Sequence, residues 1–549
     1  MWLAREERAG GLFPERLGMK DYYDRNDRRR KKNKQKGLRI VFAVLLCLVL
    51  LGVVGLLIYL LVKPEKGPDV PSVSTSQSDE ASSQDIPSKN DEVLQHAKIL
   101  AAMYDYDGAV AYIKEQVPDY TSDLALSVFI NECAAQKTKL VKWADNTTIT
   151  HVFFHTLVAD NAVAWSSYNA SDYNTVMTTI DEFNKIIEIM YDEGYVLVHL
   201  SDIAKIVKTA DGASQMTFQP IYLPKGKTPF VLSVDDVSYY EYMLNTGFAT
   251  KLVIGEDGKI TCEKAIYEGA ANNLKRDENG APIVQSVEYG AFDVVPLLDA
   301  FVEAHPDFSY HGAKGTIALT GYNGVLGYRT SDIAYGAGDP NWPGAYEYLN
   351  VNLEADKAEA KRVADAMKAE GWKFASHTWG HMDMSTVVTS SGNELNGKIQ
   401  GDRFKRDTEW WMREVSPIIG PTDIIIFAFG ADIGTWRTYN YFGENEAFMY
   451  LKSLGFDYYC NVDSSKHHWV QLSATEGGDG YLRMARRNLD GQLMFKTMVY
   501  EKFYTEDQKK QKNILSDLFD PKVVFDRTRP LPVPGVVYPE GADLYSIFN

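Results

Sequence analysis

The stretch AEAKRVADAMKAEGWKFASHTWGH, Ala358 to His381, holds the repeating unit of this chain. An amphipathic segment runs to Gly371, the residue type that most readily closes a helix. The short run WKFAS follows at once and stops at a histidine. The same unit recurs on both sides. The apolar runs ITHVFFHTLV, YVLVHL, PFVLSV, GTIALTG, DIIIFAFG and FDYYCNV alternate with segments such as TTIDEFNKIIEIMYDEG, RFKRDTEWWMREVSPIIG and AFMYLKSLG. Helix, glycine and strand, repeated from about Thr148, form the βα rhythm of a parallel sheet or barrel.

In such barrels the active groups sit where strands stop, so the ends of the runs are the informative places. FVLSVDD ends in Asp235-Asp236, WKFASH in His377 with His381 one helical turn on, DIIIFAFG at Gly430-Ala431, and ITHVFFH at His155. Adjacent strand residues point to opposite faces. Both carboxylates can therefore serve one site only where the strand breaks into a turn, as VDDVSYY could. The histidine spacing alone decides nothing. With 10 histidines in 549 residues, roughly 0.2 pairs at any one spacing arise by chance, and His151 and His155 repeat the separation. A solvated turn pair of aspartates and two hydrogen-bonded histidines remain the plain alternatives.

With 45% hydrophobic and 24% charged residues, the chain has room for one large domain with accessories, or for two or three smaller ones. Residues 40–62, IVFAVLLCLVLLGVVGLLIYLLV, are uncharged, and at about 1.5 Å per residue they would cross a hydrocarbon core about 30 Å thick. The basic segment 1–39, with RNDRRRKKNKQKGLR before the span, would stay cytoplasmic. Met19, upstream of that run, is an alternative start. The expected location is thus the cell membrane, crossed once, with the bulk of the chain outside. Residues 63–92 have the composition of a disordered linker, 93–146 of a helical hairpin, and 147–502 carry the βα rhythm. The extension 503–549 contains RTRPLPVPGVVYPEG, too proline-rich for a helix or central strand and expected to wrap the surface. A net charge of −17 argues against nucleic acid as a partner. Cys133, Cys262 and Cys460 beyond the span are odd in number, which argues against a disulfide-stapled fold.

Two of the strand ends resemble motifs of a known family, the polysaccharide deacetylases of the NodB-homology type (carbohydrate esterase family 4). SVDDV is similar to the first motif, Thr-Phe-Asp-Asp-Gly, and HTWGH to the second, His-Ser/Thr-x-x-His. VFFHTLV resembles the opening strand and histidine of the peptidoglycan- and polyglucosamine-directed members, and IIFAFGADIG stands where the third motif belongs. The resemblance runs from about Ile149 to about Asp490. It implies a distorted (β/α) barrel, preceded here by the membrane helix and the hairpin. It also implies a divalent metal ion, zinc foremost, on Asp236, His377 and His381, with Asp235 as catalytic base. The implied reaction is hydrolysis of N-acetyl groups on an N-acetylglucosamine-containing cell-wall or envelope glycan.

The chain departs from the family pattern at three places. Val237 replaces the glycine of the first motif, the third lacks its leading arginine and has Phe427 in that vicinity, and YLRMARRNLDG replaces the late Leu-x-His. Arg486 and Arg487 there are expected to be structural ion-pair partners. The proton for the leaving amine is left to Asp235 after protonation, to His155 or to water. Backbone N–H groups around Gly430 and Ala431 would hold the oxyanion, and His155, Tyr239, Trp379 and Trp436 would meet substrate. The loop TGYNGVLGYRT carries no assigned role. A silent glycan-binding protein that keeps the metal site is the first alternative. A metal-independent glycoside hydrolase with paired carboxylates is the second.

Overall fold

Eight parallel strands carry the fold: β1 (Thr150–His155), β2 (Tyr195–Leu197), β3 (Thr228–Asp235), β4 (Thr316–Leu319), β5 (Lys373–Ser376), β6 (Ile424–Ile426), β7 (Tyr458–Val462) and β8 (Tyr481–Asn488). They belong to a computed structural model that describes residues 88–342, 350–389, 394–434, 445–462, 470–473, 479–505 and 515–548. Seven strands close into a ring in the order β4-β5-β6-β7-β8-β1-β3, with β3 pairing back to β4. One edge of β3 is shared. Its start pairs with β2, Leu197 beside Phe230, and its end with β4, Thr316 beside Ser233. This shared edge distorts the (β/α) barrel. β1 to β7 coincide with the apolar runs of the sequence, whereas β8 lies in YLRMARRNLDG, where three arginines interrupt any apolar continuity.

Alternation along the strands builds two layers. Val231, Ala318, Ala375, Ile426, Cys460 and Met484 fill the barrel interior. Val152, Phe154, Leu232, Ile317 and Ile425 face outward into the core shared with the helices. The helix Leu353–Ala369 shows how sequence sets this packing. It buries Ala360, Val363, Ala364 and Met367, a stripe at helical spacing. Gly371 then takes φ 97°, and a Cβ there would meet the Gly312 carbonyl oxygen at 2.0 Å. No other residue fits, and the chain turns directly into β5.

Ahead of the barrel lie three helices, α1 (Lys89–Ala102), α2 (Tyr106–Gln116) and α3 (Leu124–Lys137), not the expected two-helix hairpin. The first predicted helix breaks at Tyr104, whose φ is 67°, and Asp105 starts a new one by accepting from the Gly108 N–H at 2.8 Å. The insertion after β3 forms a three-stranded antiparallel sheet, Lys251–Ile254, Ile260–Tyr267 and Val284–Gly290. The C-terminal extension does more than wrap. Leu515, Phe519, Phe525 and Val533 are buried in the main core. Cys133, Cys262 and Cys460 are free and buried.

The expected membrane location is corrected. Among the described residues no helix is long and apolar enough to cross a membrane, and residues 40–62, on which the single-pass topology rested, lie outside them.

Candidate metal centre

β3 ends at Asp235, inside the barrel mouth. Asp236 then leaves extended geometry with φ 62° while its N–H still bonds the Ala318 carbonyl at 3.1 Å. The break turns both carboxylates toward one site, as the alternation argument requires. His377 follows β5, its N–H on the Leu319 carbonyl at 3.0 Å. The next turn uses positive φ at Thr378 (65°) and His381 (51°), which brings the second imidazole back over the first. A helix grips this turn. Asp407, on Gly397–Glu414, accepts the Trp379 and Gly380 N–H groups, each at 2.8 Å. Asp236, Tyr239, Thr378, His381 and Phe429 all have positive φ. Such geometry costs roughly 1–3 kcal/mol per residue and gathers at functional sites.

One ligand atom from each of Asp236, His377 and His381 lies within 4.8 Å of the others. His381 Nε2 stands 3.7 Å from Asp236 Oδ2, and His377 Nε2 stands 3.9 Å from Asp236 Oδ1. His377 Nδ1 is 2.7 Å from the Ile426 carbonyl, which can only accept, so Nδ1 is protonated and Nε2 is the nitrogen turned toward the carboxylate. Burial holds His381 down at about 4 against the pull of Asp236, so the imidazole is neutral at pH 7. Burial works to raise Asp236, but His381 and His377 outweigh it and lower the carboxyl. Two imidazoles and a carboxylate are the donor set of a divalent ion of the zinc type with open positions. The residues fit such an ion.

Asp235 has a different partner. Arg486 donates Nη1 to Oδ1 at 2.7 Å and Nη2 to Oδ2 at 2.9 Å, and its guanidinium lies 4.1 Å over the Phe153 ring. Burial alone would raise the Asp235 carboxyl; Arg486, with help from His377, holds it at about 2. Asp235 Oδ2 is 4.0 Å from His377 Nε2, beside the three-ligand cluster. Arg487, one residue on, faces outward to Asp517 at 2.7 Å. The two arginines expected to share a structural role thus divide between the barrel interior and its outer face, both buried. His151 lies deeper in the barrel, 3.0 Å from the Ser233 hydroxyl, and burial, then Arg486, keeps it neutral.

No protein-family model matches the chain, and no curated protein matches it. A solved structure does. Streptococcus pyogenes deacetylase PplD in complex with acetate is similar at 12% identity, over 64% of this chain and 95% of that one, with a TM-score of 0.28. The chemistry below is therefore built from this chain's own side chains.

Several expected substrate contacts lie elsewhere. Tyr239 is buried and donates to Asp293 Oδ2 at 2.6 Å, so it does not reach a ligand. Trp379 is 0% exposed, packed against Trp342 and Trp410, with its indole N–H on Glu414 at 2.8 Å. The Gly430 and Ala431 N–H groups are used within their own turn, on the Phe427 carbonyl at 3.0 Å and the Ala428 carbonyl at 3.1 Å. They are not free for an oxyanion. His155 does stand at the site: it is half-buried and in register with Asp235. Trp436 lies outside the described residues.

Two features escaped the sequence reading. Phe429 is 49% exposed, and its ring meets His381 at a steep angle, 4.3 Å between centroids. Its only signal was an aromatic residue next to the glycine at a strand end. The loop TGYNGVLGYRT also gains a role. Arg329 donates to the carbonyls of Ser238 at 3.3 Å, Tyr239 at 2.7 Å and Asn323 at 3.0 Å, bracing the turn that follows Asp236.

Proposed function

We propose that this chain is a metal-dependent deacetylase that hydrolyses N-acetyl groups on a glycan containing N-acetylglucosamine. One observation carries the reading: an ionised carboxylate, Asp235, clamped by Arg486, stands beside a cluster of two imidazoles and one carboxylate at the carboxyl ends of barrel strands. Fold alone would not license it, and the glycan comes from the motifs SVDDV and HTWGH. A divalent cation on Asp236, His377 and His381 supplies Lewis acidity toward water and toward an amide carbonyl. Asp235 accepts the proton of the attacking water through a lone pair that Arg486 leaves free. His155, across the β1–β3 register from Asp235, donates a proton to the departing amine. Phe429 offers an exposed apolar face beside the centre, suited to one side of a sugar ring.

The test is metal content, then acetate release from N-acetylglucosamine oligomers, in wild type, Asp235→Asn, His155→Gln and His377→Ala. The expected result is a bound metal in wild type that His377→Ala loses. Asp235→Asn should keep the metal and lose roughly 10²–10⁴-fold in rate, with His155→Gln also slowed. A bound metal without acetate from any glycan would make the chain a silent glycan-binding protein. Acetate release that survives removal of the metal would defeat the mechanism outright.

A further inference from the structure

We infer that Tyr240 is a positioning residue that fixes the rotation of the Asp236 carboxylate toward the two imidazoles and sets the metal affinity of the centre. The inference rests on the metal-centre reading above and concerns residues outside both motifs. The Tyr240 hydroxyl lies 2.5 Å from Asp236 Oδ1 and 2.8 Å from the Thr320 hydroxyl, which in turn lies 3.1 Å from the Ser238 hydroxyl. An ionised carboxylate can only accept, so the single phenolic proton points at Asp236. The direction of the rest follows: Thr320 donates to Tyr240, and Ser238 donates to Thr320. Three hydroxyls thus run one way and end on a ligand of the metal, each polarising the next.

The ring cannot swing out of this line. It is sandwiched between Tyr242 (5.3 Å, 10°) and Tyr322 (5.2 Å, 17°), and only 2% of Tyr240 is exposed. With Oδ1 held by the phenol, the carboxylate is set with Oδ1 3.9 Å from His377 Nε2 and Oδ2 3.7 Å from His381 Nε2. The rotation of the Asp236 carboxylate is therefore fixed by a side chain four positions on. Thr320, one residue beyond β4, ties the arrangement to the barrel rather than to the turn alone. Supports of this kind, when removed, cost metal sites roughly 10–100-fold in affinity.

The experiment is a zinc titration of the metal-free full-length protein against a chromophoric chelator, for wild type, Tyr240→Phe and Thr320→Val, with the melting temperature of each metal-free protein. Tyr240→Phe should bind zinc roughly 10–100-fold more weakly. Thr320→Val, which keeps the phenol but removes its donor, should fall between it and wild type. A merely structural role would lower the melting temperature and leave zinc affinity unchanged. Wild-type affinity in Tyr240→Phe overturns the inference; should that variant not fold, wild-type affinity in Thr320→Val does so instead. No zinc binding by wild type would fail the metal-centre reading, a separate outcome that removes the ligand Tyr240 is said to orient.

Discussion

Arg486 reaches Asp235 across 251 residues of sequence, and both side chains are buried. Replacing it with methionine leaves a buried carboxylate without its cation, which typically costs about 3–5 kcal/mol. Arg486→Met should therefore lose about that much in urea unfolding, together with acetate release. Arg486→Lys should recover part of the stability but less of the activity, because an ammonium cannot bind both carboxylate oxygens in the fork geometry. Equal activity in the two variants would mean that only charge matters. The aspartate pair was legible in the sequence because it ends an apolar run, and so were His377 and His381. Their partner was not. In YLRMARRNLDG nothing local distinguishes Arg486, which turns inward, from Arg487, which turns outward; only closure of the ring by β8 does so. Tyr239 and Trp379 were misplaced for a related reason. Aromatic residues at strand ends can face the site or pack behind it, and here both hydrogen-bond buried carboxylates, Asp293 and Glu414.

Asp293 precedes the helix Val294–Ala304 and caps it, accepting the Val294 N–H at 2.7 Å, the Leu157 N–H at 2.9 Å and the Tyr239 hydroxyl. Burial pushes its carboxyl from 3.8 up to about 6 in spite of those donors. The folded state therefore holds this proton more tightly than the unfolded chain does. Its contribution is fully present below about pH 4 and is lost as pH rises through about 6. Asp293→Asn does not titrate, so the stability of wild type relative to this variant should fall by about 2 kcal/mol between pH 4 and pH 7. Urea unfolding at the two values measures it, and a constant difference would refute the assignment. The helices and strands themselves were mostly open to reading, since glycine stops and apolar runs are local signals. The break between α1 and α2 was not, because Tyr104 keeps its strained backbone through a long-range bond, its hydroxyl on the Asp307 carbonyl at 2.7 Å.

The barrel's first and last strands meet at a seam, where Arg487 pairs with Val152 and Asn488 with Phe153. The C-terminal extension locks the elements that flank it. Glu182, on the helix Ile180–Asp192 that follows β1, receives Arg529 Nε on Oε1 at 2.7 Å and Nη2 on Oε2 at 2.6 Å, with both side chains 0% exposed. The same carboxylate accepts the Thr179 N–H at 2.9 Å and the Asp526 N–H at 2.8 Å, so one group caps the helix and anchors the tail. Proline content gave no hint of this, because it excludes regular structure without saying whether the chain is covered. Arg529→Met should lower the unfolding free energy by about 3–5 kcal/mol by stranding Glu182. The double variant Glu182→Gln with Arg529→Met should recover part of that loss, because the stranded charge is gone, and a double-mutant cycle isolates the coupling. Arg486 stands on β8, at this seam, so a loosened tail should also reduce acetate release below the urea concentration at which the whole fold melts. If Arg529→Met instead unfolds at the wild-type midpoint, the tail is a surface wrapper after all, and the seam is held by the strand pairing alone.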